Sequence, residues 1–278
     1  WSVARNGVVP SLIVPGSEAQ SYQLLLRSPP SICSAAVAVP IRRFPMENGV
    51  MAALCHSDLT AEIRRLLMQA GDPERAIAQQ RYMKSDLPYY GVTLTQLRPL
   101  LRPLLKDWSP TREEWEATIL AMYDEATHRE ERYAALAMAR HGRRWLDPEA
   151  LPLARHLIEE GAWWDLVDEA SQHVLGPIVA EYPESVAPVI REWARDPDLW
   201  VRRSAVLCQL GRKQDTDLEL LTDVIEANLG DDSFWLRKAI GFFCASAASA
   251  AEITPTSYMR SITQLRRSSA TSIFLRGL

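Results

Sequence analysis

The sequence predicts an all-α chain built as a helical-repeat solenoid, and three observations lead there. Apolar residues recur at helical spacing from Asp58 onward, acid–proline and serine–proline pairs punctuate that pattern, and two tryptophan-centred segments align at an offset of 35 residues. No stretch of any length alternates apolar with polar residues as a half-buried strand would. Helix pairs recurring every 35 to 45 residues or so are how an α-solenoid announces itself, because each pair can bury its apolar face only against its neighbours.

Taken in order, residues 1–45 hold no sustained helical period and are rich in Ser, Pro and Val with scattered Arg. A transit-type presequence, a flexible tail, or upstream bases read as protein would each look like this. The last is favoured, since the first residue is Trp, and Met46 or Met51 is then the natural start. Residues 1–50 are expected to be a disordered or non-native leader. Leu59, Ile63, Leu66 and Leu67 fall at i, i+4, i+7 and i+8, and Gly71 stands where a helix C-terminus favours glycine. Asp72-Pro73, Ser109-Pro110 and Asp147-Pro148 each offer a side-chain oxygen to free N–H groups, followed by a proline whose missing donor is harmless in a first turn. These are helix starts. Leu94, Leu97, Leu101, Leu104 and Leu105 form another stripe, in which Pro99 and Pro103 must bend or shorten the helix. DLWVRRSAVLCQ (Asp198 to Gln209) and SFWLRKAIGFFC (Ser233 to Cys244) set Trp200 over Trp235, Arg203 over Lys238 and Leu207 over Phe242, and Trp164 lies 36 residues before Trp200.

GAWWDLVDEAS (Gly161 to Ser171) is the stretch with chemical content. On a helix Trp163, Val167, Ala170 and Val174 make one apolar stripe toward the core, and Trp164 sits about 100° around from Trp163. Asp168 lies above Trp164 at i+4, so an indole and a carboxylate share one patch at the core's edge, while Asp165 and Glu169 form the next, solvated stripe. An aromatic wall beside a carboxylate suits a cation, through the ring quadrupole and Coulomb attraction. Arg203 and Lys238, each three residues after a tryptophan, suit phosphates. Bland readings stand beside these: a tryptophan at a helix start packs, and an aspartate in a first turn answers the helix macrodipole.

Composition sets limits. With 278 residues, 47% hydrophobic, the chain supports one large or two modest domains, and no apolar run reaches the length of a membrane span. Cys33, Cys55, Cys208 and Cys244 form no CxxC pair and have no histidine at ligand spacing, which argues for reduced thiols rather than disulfides or zinc. His56, His128, His141, His156 and His173 share no cluster. Removing the +3 of residues 1–45 and the +3 of 242–278 from the total of −4 leaves −10 for residues 46–241. A DNA partner then requires cations segregated onto one face.

WWDLVD (Trp163 to Asp168), LWVRRSAVL (Leu199 to Leu207), FWLRKAIG (Phe234 to Gly241) and QQRYMKSDLPYYGV (Gln79 to Val92) together resemble the HEAT-like-repeat DNA glycosylases of the AlkD type, over about residues 58–242. That resemblance implies hydrolysis of the N-glycosidic bond of cationic N3- and N7-alkylated purines in double-stranded DNA, with no metal or other cofactor. It implies a cytoplasmic, nucleoid-associated monomer. The family's catalytic Asp falls on Asp168, the adjacent indole on Trp164, the phosphate-side Arg on Arg203, and a second aromatic on Phe242, where the family commonly has Trp. Lys84 and Tyr90, in the segment bordering the DNA cleft, join the candidate DNA contacts with Lys238. The glycosylase domain is expected over residues 51–242. From residue 242 the apolar period is lost and eleven of 37 residues are Ser or Thr, so 243–278 is expected to be an atypical tail, the product of a reading-frame shift near Phe242. A non-catalytic solenoid binding DNA or protein on its concave face is the competing function.

Overall fold

The structure, a computed structural model, describes residues 54–250, and every regular element in that range is helical. The helices are α1 (Ser57–Gln69), α2 (Pro73–Met83), α3 (Leu94–Asp107), α4 (Arg112–Asp124), α5 (Arg129–His141), α6 (Leu151–Gly161), α7 (Trp164–Ala170), α8 (Gly176–Glu181), α9 (Pro183–Trp193), α10 (Leu199–Leu207), α11 (Leu218–Glu226) and α12 (Phe234–Ala250). The expectations for residues 1–50 and for the chain after residue 250 lie outside the described residues.

Most expected starts hold, with one shifted by a residue or two. Asp72 accepts from the backbone N–H groups of Glu74 and Arg75, both at 3.1 Å, with Pro73 in the first turn of α2. Asp147 caps a short 3₁₀ turn, Pro148–Ala150, that leads into α6. Near Ser109-Pro110 the cap is instead Thr111, whose reciprocal box with Glu114 satisfies two donors where a lone serine would satisfy one. Pro99 and Pro103 do not shorten α3, which runs fourteen residues through both; both prolines are exposed. α7 and α8 form one helix interrupted by a π-helical turn, Ser171–Leu175, and that widened turn absorbs the donor that Pro177 lacks.

One contiguous apolar core runs from Leu59 on α1 to Phe243 on α12, as stacked repeats require. Arg–Asp pairs rivet successive repeats together: Arg112 to Asp147, Arg129 to Asp165 at 2.6 Å, Arg155 to Asp196 at 2.8 Å, and Arg203 to Asp168 at 2.7 Å, each linking residues 35 to 41 positions apart. Among the described residues no helix is long and apolar enough to cross a membrane.

Candidate active site

Trp164 opens α7 and Asp168 follows one turn later, so both project from the same face, as the spacing predicts. They line a cleft of about 330 Å³. Its other wall comes from the end of α2 and the turn after it, with Gln79, Tyr82, Met83 and Tyr89. Two motifs some eighty residues apart in sequence therefore meet across one opening.

Buried glutamates fix the distant wall. Glu130 accepts from the backbone N–H groups of Tyr90, Gly91 and Val92 at 2.9 to 3.0 Å, a carboxylate clamp on the Tyr-Tyr-Gly-Val turn. Gly91 adopts φ +90°, and a Cβ there would lie 2.0 Å from the Asp72 carbonyl oxygen, so the turn passes beneath the start of α2 only with glycine. Tyr90 does not face the cleft. In the non-helical segment at this turn neighbouring side chains point to opposite sides, and it is Tyr89 that enters the lining. Tyr90 instead donates its hydroxyl to Glu131 at 2.8 Å and stacks on His128 with ring centroids 3.7 Å apart, which ties it to the start of α5.

Arg203 also requires correction. Its side chain is 1% exposed; Nε and Nη2 donate to the two Asp168 oxygens at 2.7 and 2.8 Å, and Nη1 donates to the Trp235 carbonyl. At 1% exposure the guanidinium presents no open face to a phosphate. It orients Asp168. The aspartate keeps an open edge, 23% exposed, toward the cleft. Its carboxyl is raised above its ordinary value because burial outweighs the hydrogen bond and charge of Arg203.

Asp165, expected on a solvated stripe, is 10% exposed and paired with Arg129, itself 7% exposed. Tyr133 donates its hydroxyl to the same carboxylate, and its oxygen lies 3.2 Å from that of Tyr89. Burial pushes the Tyr89 hydroxyl up to about 12, so the chain of hydroxyls stays protonated near neutrality. Glu169 stands on the cleft lining with Arg140 and His173 both at 3.7 Å. Each of these three cleft carboxylates is thus paired with an arginine.

Trp163 is the N-cap of α7 in extended conformation; Val167, Ala170 and Val174 are fully buried as expected, whereas Trp163 is half-buried. Its ring centroid lies 6.1 Å from that of Trp200 and 5.4 Å from that of Trp235, so the repeated tryptophans gather with Trp163 and not with Trp164. Lys238 is exposed on α12 with its ammonium 5.7 Å from the Phe234 ring and 5.4 Å from the Phe242 ring. It lies close enough to pull the Asp168 carboxyl down. Phe242 is not among the cleft-lining residues; it supports the Lys238 ammonium. Lys84 is exposed at the end of α2 in a left-handed conformation, φ 51°, next to the cleft residue Met83.

Sequence reasoning missed Tyr82, Tyr89, Tyr133 and Asp165. Tyr82, 76% exposed at the cleft mouth, lies within the quoted Gln79–Val92 motif and was legible as an exposed aromatic. Tyr133 carried no signal, because only the cross-repeat approach of α5 to α7 makes it matter. Among the described residues no three His, Cys, Asp or Glu side chains form a group able to hold a metal ion.

The family model described as DNA alkylation repair enzyme matches residues 63–260, eighteen residues beyond the position where the sequence pattern changes. A solved structure described as a predicted DNA alkylation repair enzyme from Enterococcus faecalis is 26% identical, superposes with a TM-score of 0.61, and aligns over 69% of this chain and 89% of that one. No curated protein matches.

Proposed function

The chain belongs to the DNA alkylation repair enzyme family, and from that membership we propose that it hydrolyses the N-glycosidic bond of cationic N3- or N7-alkylated purines in double-stranded DNA. The observation that carries this reading is the make-up of the cleft: its lining includes Asp165, Asp168, Glu169 and the rings of Tyr82, Tyr89 and Trp164, and no Lys or Arg. Phosphate would be repelled from such a surface. A positively charged nucleobase is attracted to it, by ring faces and by carboxylates.

An alkylated purine already bears the charge that makes it a leaving group. As the bond from C1′ breaks, its electron pair passes to the base and cancels that charge, while positive charge develops on the sugar. A carboxylate held in place stabilises the developing oxocarbenium character without reorganising. Asp168 fills that role, fixed by the two-pronged grip of Arg203 and open on its cleft edge. Water then adds its oxygen to C1′ and gives up a proton, to Asp168 or solvent, leaving an abasic sugar and a neutral base. Trp164 forms the wall against which the base or sugar rests, and Lys84 and Lys238 contact the backbone on either side.

Arg203's hold on Asp168 also favours the competing reading, a non-catalytic solenoid in which the pair is a rivet between repeats. Purified full chain incubated with methylated duplex separates the two. Release of 7-methylguanine or 3-methyladenine, lost in Asp168→Asn, is expected; no release from the parent chain would leave the scaffold.

A further inference from the structure

The cleft accounts for the base but not for the strand that carries it. In residues 46–241, whose net charge is −10, α3 is an exception: LTQLRPLLRPLLKD carries three cations and, before its last residue, no acid. Leu97, Leu101 and Leu105 face the core, and Arg98, Arg102 and Lys106 form an exposed ridge about 100° around the helix from them. They stand at i, i+4 and i+8, about 6 Å apart along the axis. Like charges at that spacing repel one another, so the ridge costs the helix a few tenths of a kcal/mol per pair. Arg112, Arg129, Arg155, Arg191 and Arg202 all sit in ion pairs, whereas Arg98, Arg102 and Lys106 pair with no carboxylate among the described residues.

The ridge also has a direction. Leu94, one turn before Arg98 on the same stripe, lines the cleft. Arg98 and Arg140 both bear electrostatically on the His173 imidazole, which sits against the cleft residue Glu169. The row of cations therefore starts at the cleft rim and runs away from it.

We propose that the Arg98–Arg102–Lys106 ridge of α3 is a phosphate track, on which consecutive phosphates of one DNA strand lie as the duplex leaves the cleft. This rests on the reading of the cleft as a DNA site. Binding of the full chain to an undamaged duplex, followed by anisotropy across a salt series, tests it without requiring catalysis. Three lost phosphate contacts should reduce the magnitude of the slope of log K against log salt by about 2.7 in the triple variant Arg98→Ala, Arg102→Ala, Lys106→Ala. The same three positions changed to Gln should behave alike, which guards against a folding defect in either one. Removing equal charge at Arg195, Arg212 and Lys213 should leave the slope unchanged. A ridge variant whose slope falls by less than one, or a control whose slope falls as much, overturns the track. A parent chain that binds steeply yet releases no base sinks the glycosylase reading and leaves the track standing.

Discussion

Asp165 and Asp168 sit three residues apart on one short helix, both line the cleft, and both are paired with an arginine one repeat away. Their surroundings nonetheless make them different groups. Asp165 is closed in by Arg129 and the Tyr133 hydroxyl, with Tyr89 behind them. Asp168 has one partner, two hydrogen bonds to it, and a free edge. An ion pair by itself does not decide whether a carboxylate is structural or chemical; what remains uncovered after pairing decides it.

The sharpest way to break this contrast is Asp168→Asn, which should lower base release by about 10² to 10³, or about 3–4 kcal/mol of transition-state stabilisation, in single-turnover assays on methylated duplex. Asp165→Asn should do the opposite: it leaves Arg129 buried beside a neutral amide and should cost about 3 kcal/mol in urea unfolding, while the folded protein releases base within tenfold of the parent rate. Equal rate losses from both would erase the distinction.

Titration sharpens it further. Burial raises the Asp168 carboxyl, and the ionised form is the one that stabilises the sugar, so the rate should fall on acidification at a higher pH than an unperturbed aspartate would give. Lys238→Met, which removes a charge favouring ionisation, should move that acid limb higher still in a pH–rate profile. Smaller is Tyr133→Phe, which removes one hydrogen bond to Asp165 and should cost about 1 kcal/mol in thermal unfolding with little change in rate. Away from the cleft, His156 is raised above 6.5 chiefly by its hydrogen bond to Asp124. Its folded value lies above its unfolded one, so its stabilisation is whole below 6.5 and is lost as pH rises through the folded value. His156→Gln should flatten that part of the stability curve.

Much of the fold was legible because helices announce themselves locally: the leucine stripes of α1 and α3 and the caps Asp72 and Asp147 need only a few residues of context. The Trp164–Asp168 pair was legible for the same reason, since one turn of helix fixes it. Arg203 was misread because its partner lies 35 residues away, one repeat back, and a cation that looks free on its own helix is spoken for across the stack. Tyr89 was missed as the cleft residue because alternation in the non-helical turn decides which of two adjacent tyrosines enters the cleft, and a helical pattern search says nothing there. The repeat offset held the missing signal: 203 minus 35 is 168, and 165 minus 36 is 129.

The riveting of repeats by Arg–Asp pairs bears on how a duplex is received. Arg129 to Asp165 joins α5 to α7, and Arg203 to Asp168 joins α7 to α10, so α7, which carries the cleft carboxylates, is pinned to an earlier and a later helix of the stack. A superhelix fastened at those joints has its curvature set before any nucleic acid arrives, and straightening it there would strand a charge in the interior. The adjustment on encounter then falls to the DNA, whose bending energy depends on its local stacking. Weakly stacked lesion sites would be the ones that conform most readily to a groove that does not yield.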